Sequence, residues 1–121
     1  MAYNYIPQYA SATGGAAQVQ TTVPAGGAST GLYSYVDGFD VTGLCATSAT
    51  TVDVTLTDGT VTLHYRVAVP ACVTTGITPL SIRFSKSLQS TAVNTAWTLT
   101  VPTFGSGNTN VSASIYGYQA T

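Results

Sequence analysis

Residues 50–69 read TTVDVTLTDGTVTLHYRVAV, two alternating runs either side of Asp58-Gly59. Val52, Val54 and Leu56 fall on one side of the first run, with Thr51, Asp53 and Thr55 on the other. In the second run Val61, Leu63, Tyr65, Val67 and Val69 share a face, opposite Thr62, His64 and Arg66. A period of two is the pleat of a half-buried strand, and Asp-Gly between two such runs is a strong hairpin signal. The expected turn is type I′, with positive φ at both central residues. A hairpin cannot bury its own apolar face, so the remainder of the chain must supply strands to cover it.

Further alternating runs meet that requirement. Strands are expected at 17–23, 32–42, 80–85, 97–101 and 111–116, separated by Gly-, Pro-, Ser- and Asn-containing connections, with no helical periodicity anywhere. In 32–42 simple alternation puts Tyr33, Tyr35, Phe39 and Val41 on one side, with Leu32, Ser34, Val36 and Asp40 on the other, while Gly38 suggests a bulge or bend. Residues 86–95 read as a polar connection and 104–108 as a turn. The expected fold is all-β, an antiparallel two-sheet, jelly-roll-like β-sandwich of about seven strands. Trp97, Tyr65 and Phe84 would be the largest core pieces, with Arg66, Arg83 and Asp53 outside. At 121 residues the chain is one domain. It divides into an extended N-terminal arm over 1–15 and the sandwich over 16–121. Tyr3, Tyr5, Ile6 and Tyr9 make the arm a candidate contact with a neighbouring subunit, since Tyr suits interfaces; a loosely attached tail is the alternative.

Charged residues are only 6% and the net charge is −1, so the clustered cations that nucleic-acid binding needs are missing. No apolar run is long enough to span a membrane as a helix, and the first residues lack a signal-peptide pattern. Hydroxyls supply most of the polar surface, with 22 Thr and 11 Ser. Such a surface has little self-repulsion to keep it monomeric, as expected of a protein covered by partners or living outside the cytoplasm. An initiator Met without a signal then suggests a virion component, made in the host cytoplasm and released by lysis.

The residues that could carry chemistry are few. Cys45 and Cys72 lie 27 residues apart, each just past an expected strand end, and would reach the same end of the sandwich if strands 32–42, 50–57 and 60–69 run up, down and up. A disulfide there would add about 3–4 kcal/mol; two free thiols are the alternative. With one distant histidine they make no zinc site. His64 and Asp53, neighbours across the hairpin, could begin a hydrolytic constellation, but a base needs a nucleophile as well. The aspartates, Asp37, Asp40, Asp53 and Asp58, converge in no loop as calcium requires, and Asp58 belongs to its turn. No catalytic set, metal or cofactor is therefore expected. The tyrosine pairs Tyr33/Tyr35 and Tyr116/Tyr118 read as core, as a subunit interface together with Arg66 and Arg83, or as a surface for stacking sugars.

From residue 32 to 118 the runs YVDGFDVTGL, TVDVTLTDGTVTLHYRVAVP, PLSIRFSKSLQ, WTLTVP and VSASIYGYQ, with their Thr/Ala/Gly/Ser-rich setting, resemble small all-β structural proteins of tailed bacteriophages. The resemblance implies a capsid decoration (cement) protein on the virion exterior. Its partners would be the major capsid protein and sister copies, as a homo-oligomer, with a trimer expected. The alternative it implies is a receptor- or glycan-binding module of a tail fibre. No motif in the match transfers a binding or catalytic residue.

Overall fold

A computed structural model describes residues 6–14, 19–23, 31–71, 76–106 and 110–120. These hold eight strands and no helix: β1 Ile6–Gly14, β2 Val19–Val23, β3 Tyr33–Gly43, β4 Thr50–Thr57, β5 Thr62–Val69, β6 Leu80–Gln89, β7 Trp97–Val101 and β8 Val111–Ala120. They form two antiparallel sheets, sheet A in the order β1-β8-β3-β6 and sheet B in the order β2-β7-β4-β5. The pairs nest about the central hairpin. β4 lies on β5, β3 on β6, β2 on β7 and β1 on β8.

The hairpin forms as its alternation demands, in unbroken register from Thr50↔Val69 to Thr57↔Thr62. Its turn differs from type I′. Gly59 has φ 95°, but Asp58 is not in the left-handed region. Instead Asp58 Oδ1 accepts the N–H groups of Thr60 (2.9 Å) and Val61 (2.8 Å), and Thr57 Oγ1 accepts that of Gly59. A side chain that caps the loop removes the need for positive φ at both positions. Asp58 Oδ2 also accepts the Thr91 N–H at 2.7 Å, which ties this turn to the connection after β6.

The inward residues meet between the sheets. Val36, Phe39 and Val41 of β3 and Val111, Ala113 and Ile115 of β8 face Val52, Val54 and Leu56 of β4, Val67 and Val69 of β5, and Trp97, Leu99 and Val101 of β7. Each fully buried Val, Leu, Ile or Phe contributes about 1.5–3 kcal/mol. Of the three largest core pieces expected, only Trp97 is buried; Tyr65 and Phe84 pack at the margin, half-exposed. Phe39 and Phe104 take the centre, so the supposed turn at 104 carries a core residue. The margin runs along β5 and β6, the outermost strands on one side. On the other side β1 lies against β2, and β2 against β8.

Three strand expectations change. Residues 6–14 do not stand apart from the sandwich: they pair with β8 from Ile6↔Gln119 to Gly14↔Val111. That adds an eighth strand to the seven expected. β6 continues through 86–89, and β3 carries a bulge that resets its faces.

Candidate interaction surface

The bulge decides what sheet A shows to the outside. Both pairings of β3 shift between Val36 and Gly38. Against β8, Asp37 is one residue too many; against β6, Val36 faces Leu88 and Gly38 faces Arg83, so β6 arches away over 84–87. An inserted residue reverses the parity of everything after it. Ser34 and Val36 before the bulge point inward together with Phe39 and Val41 after it. Tyr33 and Tyr35 therefore share the outer face with Asp40 and Thr42. Simple alternation had set these tyrosines beside Phe39 and Val41.

That outer face has two halves. In one, the rings of Tyr35 and Tyr118 stack at 4.7 Å, 8° from parallel. In the other, Asp40 gathers four donors. The Arg83 guanidinium holds both carboxylate oxygens at 3.1 Å, Ser81 donates to Oδ1 at 2.6 Å and the Tyr116 hydroxyl donates to Oδ2 at 2.8 Å. Arg83 also lies over the Tyr116 ring, 4.9 Å from its centroid, and donates to the carbonyls of Ile82 and Phe39. The Arg83 hydrogen bonds, then those of Ser81 and Tyr116, outweigh partial burial and bring Asp40 down to about 2. The same bond to Asp40 raises the Tyr116 phenol.

Gly38 makes this possible. A Cβ there would stand 2.3 Å from the Ile82 carbonyl oxygen and 2.8 Å from Arg83 Cδ, so only glycine lets Arg83 cross β3. Beside the bulge, Ser87 donates to Asp37. The result is a charge-compensated patch, its rings and guanidinium locked in place, bordered by Ser112 and Ser114 of β8.

Sheet B presents a different outer face. Thr51, Thr55 and Thr57 of β4, Thr62 of β5 and Thr98 and Thr100 of β7 are exposed or half-buried around Asp53, His64 and Arg66. His64 Nδ1 lies 2.7 Å from Asp53 Oδ2. Arg66, opposite Asp53 in register, comes no closer than 3.8 Å to Oδ1, which accepts no hydrogen bond among the described residues. The carboxylate orients the imidazole as a base would require, on an open sheet face.

Of the residues singled out by sequence, Arg83, Tyr116 and Tyr118 lie on one face, whereas Arg66 lies on the other sheet. Cys45 is buried and disulfide-bonded. Cys72 lies outside the described residues, though the Ala46↔Ala71 bridge joins the neighbours of both cysteines. Tyr3 and Tyr5 also lie outside them. Ile6 and Tyr9 are placed by backbone register, opposite Gln119 and Tyr116. The residues missed as a site were Asp40, Ser81 and Gly38; the available signal was the glycine inside a strand. A cleft of about 230 Å³ at one end of the sandwich is lined by Thr47, Ser48, Thr103, Phe104 and Ser106, and a groove of about 430 Å³ along the β5/β6 margin by Val61, Leu63, Leu88 and Trp97. The sequence matches no protein-family model and no curated protein.

Proposed function

We propose that this chain is a virion structural protein, a jelly-roll sandwich that decorates the outer surface of a phage capsid as a homo-oligomer bound to the major capsid protein. The observation that carries this reading is the nested strand order. Pairs β1·β8, β2·β7, β3·β6 and β4·β5, distributed over two four-stranded sheets, are what results when one long hairpin is rolled up. Eight strands so arranged are an architecture shared by viral capsid and lectin domains. The nearly uncharged, hydroxyl-rich surface adds to it, because covering such a surface with a shell costs less desolvation than covering a charged one. The decoration role is physical: polar and apolar surface buried across subunit junctions opposes their separation.

The test follows from β1. Deleting residues 2–14 would remove a strand of sheet A, so the informative truncation stops at residue 5. Capsids lacking the protein should bind the full-length chain in stoichiometric amounts on co-sedimentation. The chain shortened by residues 2–5 should stay folded and bind more weakly if the tyrosines there touch the shell. Absence of binding by the full-length chain overturns the reading.

A second reading, a receptor- or glycan-binding module of a tail fibre, is favoured by one observation, the ordered tyrosine and Asp40–Arg83 face. A glycan-array screen separates the two. Reproducible binding that is lost in Tyr118→Ala supports the tail module; a blank array leaves the capsid reading.

A further inference from the structure

Among the described residues β5 and β6 are the outermost strands of their sheets on the same side of the sandwich, and their edges differ in kind. The edge of β6 is defended. It arches away from β3 over 84–87 and carries Lys86 on that arch and Arg83 beside it. A bulge and a lysine are the usual means by which an edge refuses a further strand. β5 has neither. Its eight residues TLHYRVAV run in unbroken register with β4, with no proline, glycine or lysine, and are β-branched or aromatic at four positions. Beside it the apolar margin stays open: Leu63 and Tyr65 are half-exposed, and Val61, at the head of the strand, is 40% exposed.

We infer that β5 is an assembly edge, and that its occupant is β5 of a second copy, paired antiparallel about a two-fold axis through Tyr65. In an antiparallel ladder opposite residues share a face, so only registers that keep parity leave the apolar residues inside. Centring on Tyr65 sets Leu63 against Val67 of the second copy, Val61 against its Val69, and Thr62 against its Ala68. It also places Arg66, which already faces Asp53 of its own chain, against His64. Centring one residue further on would set two arginines face to face. Centring one residue earlier would leave Val61 against Val67 and drop Val69 from the pairing. The Tyr65-centred register covers the exposed Val61 and joins two copies of sheet B into one eight-stranded sheet.

Such a contact is isologous and closes at two copies. It deepens the homo-oligomer of the proposed function and replaces the expected trimer with a dimer, and it rests on that reading only in requiring that the chain self-associate.

The experiment is the solution mass of the full chain across a concentration series, with four variants. His64→Lys leaves Asp53 a nitrogen partner but sets a fixed positive charge against Arg66 of the second copy, twice per dimer. Ala68→Lys puts a lysine at the exposed far end of the same edge, and Ser85→Lys adds one to β6 as a control. The native chain should have twice the 12.4 kDa of one copy. Both β5 lysines should raise the dissociation constant at least tenfold with far-ultraviolet circular dichroism unchanged, and Ser85→Lys should leave it alone. Combining His64→Lys with Arg66→Glu should restore the dimer, because the cross-copy pair is then of opposite charge. A native chain that is monomeric throughout, an oligomer indifferent to both β5 lysines, or a double variant that stays dissociated overturns the inference. Capsid co-sedimentation is scored separately: a monomer that binds shells sinks this edge alone, and a dimer that ignores them sinks the capsid reading alone.

Discussion

Both outer faces carry an aspartate on an inner strand and an arginine on the neighbouring edge strand, yet only one pair is built into the fold. On sheet A, Asp40 and Arg83 meet through two bonds of 3.1 Å, and Ser81 and Tyr116 complete the carboxylate's shell. On sheet B, Asp53 and Arg66 stand directly opposite in register, which ought to favour them, and still lie 3.8 Å apart with the arginine 77% exposed. The difference lies in the backbone between them. Gly38 and the bulge open a path across β3 along which the guanidinium lies flat and uses its fork. β4 offers no such gap, so Arg66 stays in solvent. Cross-strand register alone does not make an ion pair; room for the planar group does.

The largest expected effect comes from closing that path. Gly38→Ala should destabilise the protein by at least about 3 kcal/mol, because its Cβ would overlap a backbone carbonyl that cannot swing aside as a side chain could. Urea unfolding followed by tyrosine fluorescence measures it. The Tyr116 phenol should also return toward its ordinary pKa as Asp40 loses its alignment. A Gly38→Ala variant of native stability would mean that the bulge is incidental and the contrast between the faces has another cause.

Acid tests the same contrast through protonation. Asp40 is held at about 2 against an ordinary value of 3.8, so its ionised form is favoured in the folded state. Its contribution, on the order of 2 kcal/mol, is complete above the unfolded-state value, shrinks as pH falls through 3.8 and is gone below about 2. Asp58 behaves likewise. Burial works against its charge, but the N–H groups of Val61, Thr91 and Thr60 overcome that and set it at about 2. Stability should therefore fall between pH 4 and pH 2. Asp40→Asn should cost about 2 kcal/mol at neutral pH and remove about half of that acid-dependent loss. An acid limb of unchanged depth in the variant would show that Asp40 is not ionised through its contacts.

How much of this could be read in the sequence follows from which effects are local. The hairpin, the inward faces of β4, β7 and β8 and the helix-free fold follow from alternation, a property of neighbouring residues. The failures are non-local. The stretch YIPQYASATGG has no clean period of its own, and its strand exists because β8 offers an edge along its whole length. Phe104 sits among turn residues, but the turn folds back over the core. The cap of Asp58 was half legible: Asp-Gly announces a turn, but not that the same carboxylate would also hold the Thr91 N–H, 33 residues away. Gly38 gave notice of a bulge without saying which residue would be inserted. That one residue moved Tyr33 and Tyr35 from the supposed company of Phe39 and Val41 to that of Asp40, and with them the candidate surface.

The smallest effects should come from sheet B, and their smallness matters to the comparison. Asp53 bonds His64 at 2.7 Å, a shorter contact than either Asp40–Arg83 bond, so a ranking by distance would make it the stronger pair. Exposure argues the reverse. The His64 side chain is 58% exposed and that of Asp53 35%, so water and salt screen the interaction and both groups regain solvation when it breaks. His64→Ala should change stability by less than about 0.5 kcal/mol, and Asp53→Asn by no more than about 1 kcal/mol, at low ionic strength, where such pairs are strongest. Raising salt to 1 M should erase even that and leave most of the cost of Asp40→Asn in place. Equal costs for Asp53→Asn and Asp40→Asn at both ionic strengths would show that the enclosure provided by the bulge adds nothing, and that a single short bond on an open face does as much as four around a guided guanidinium.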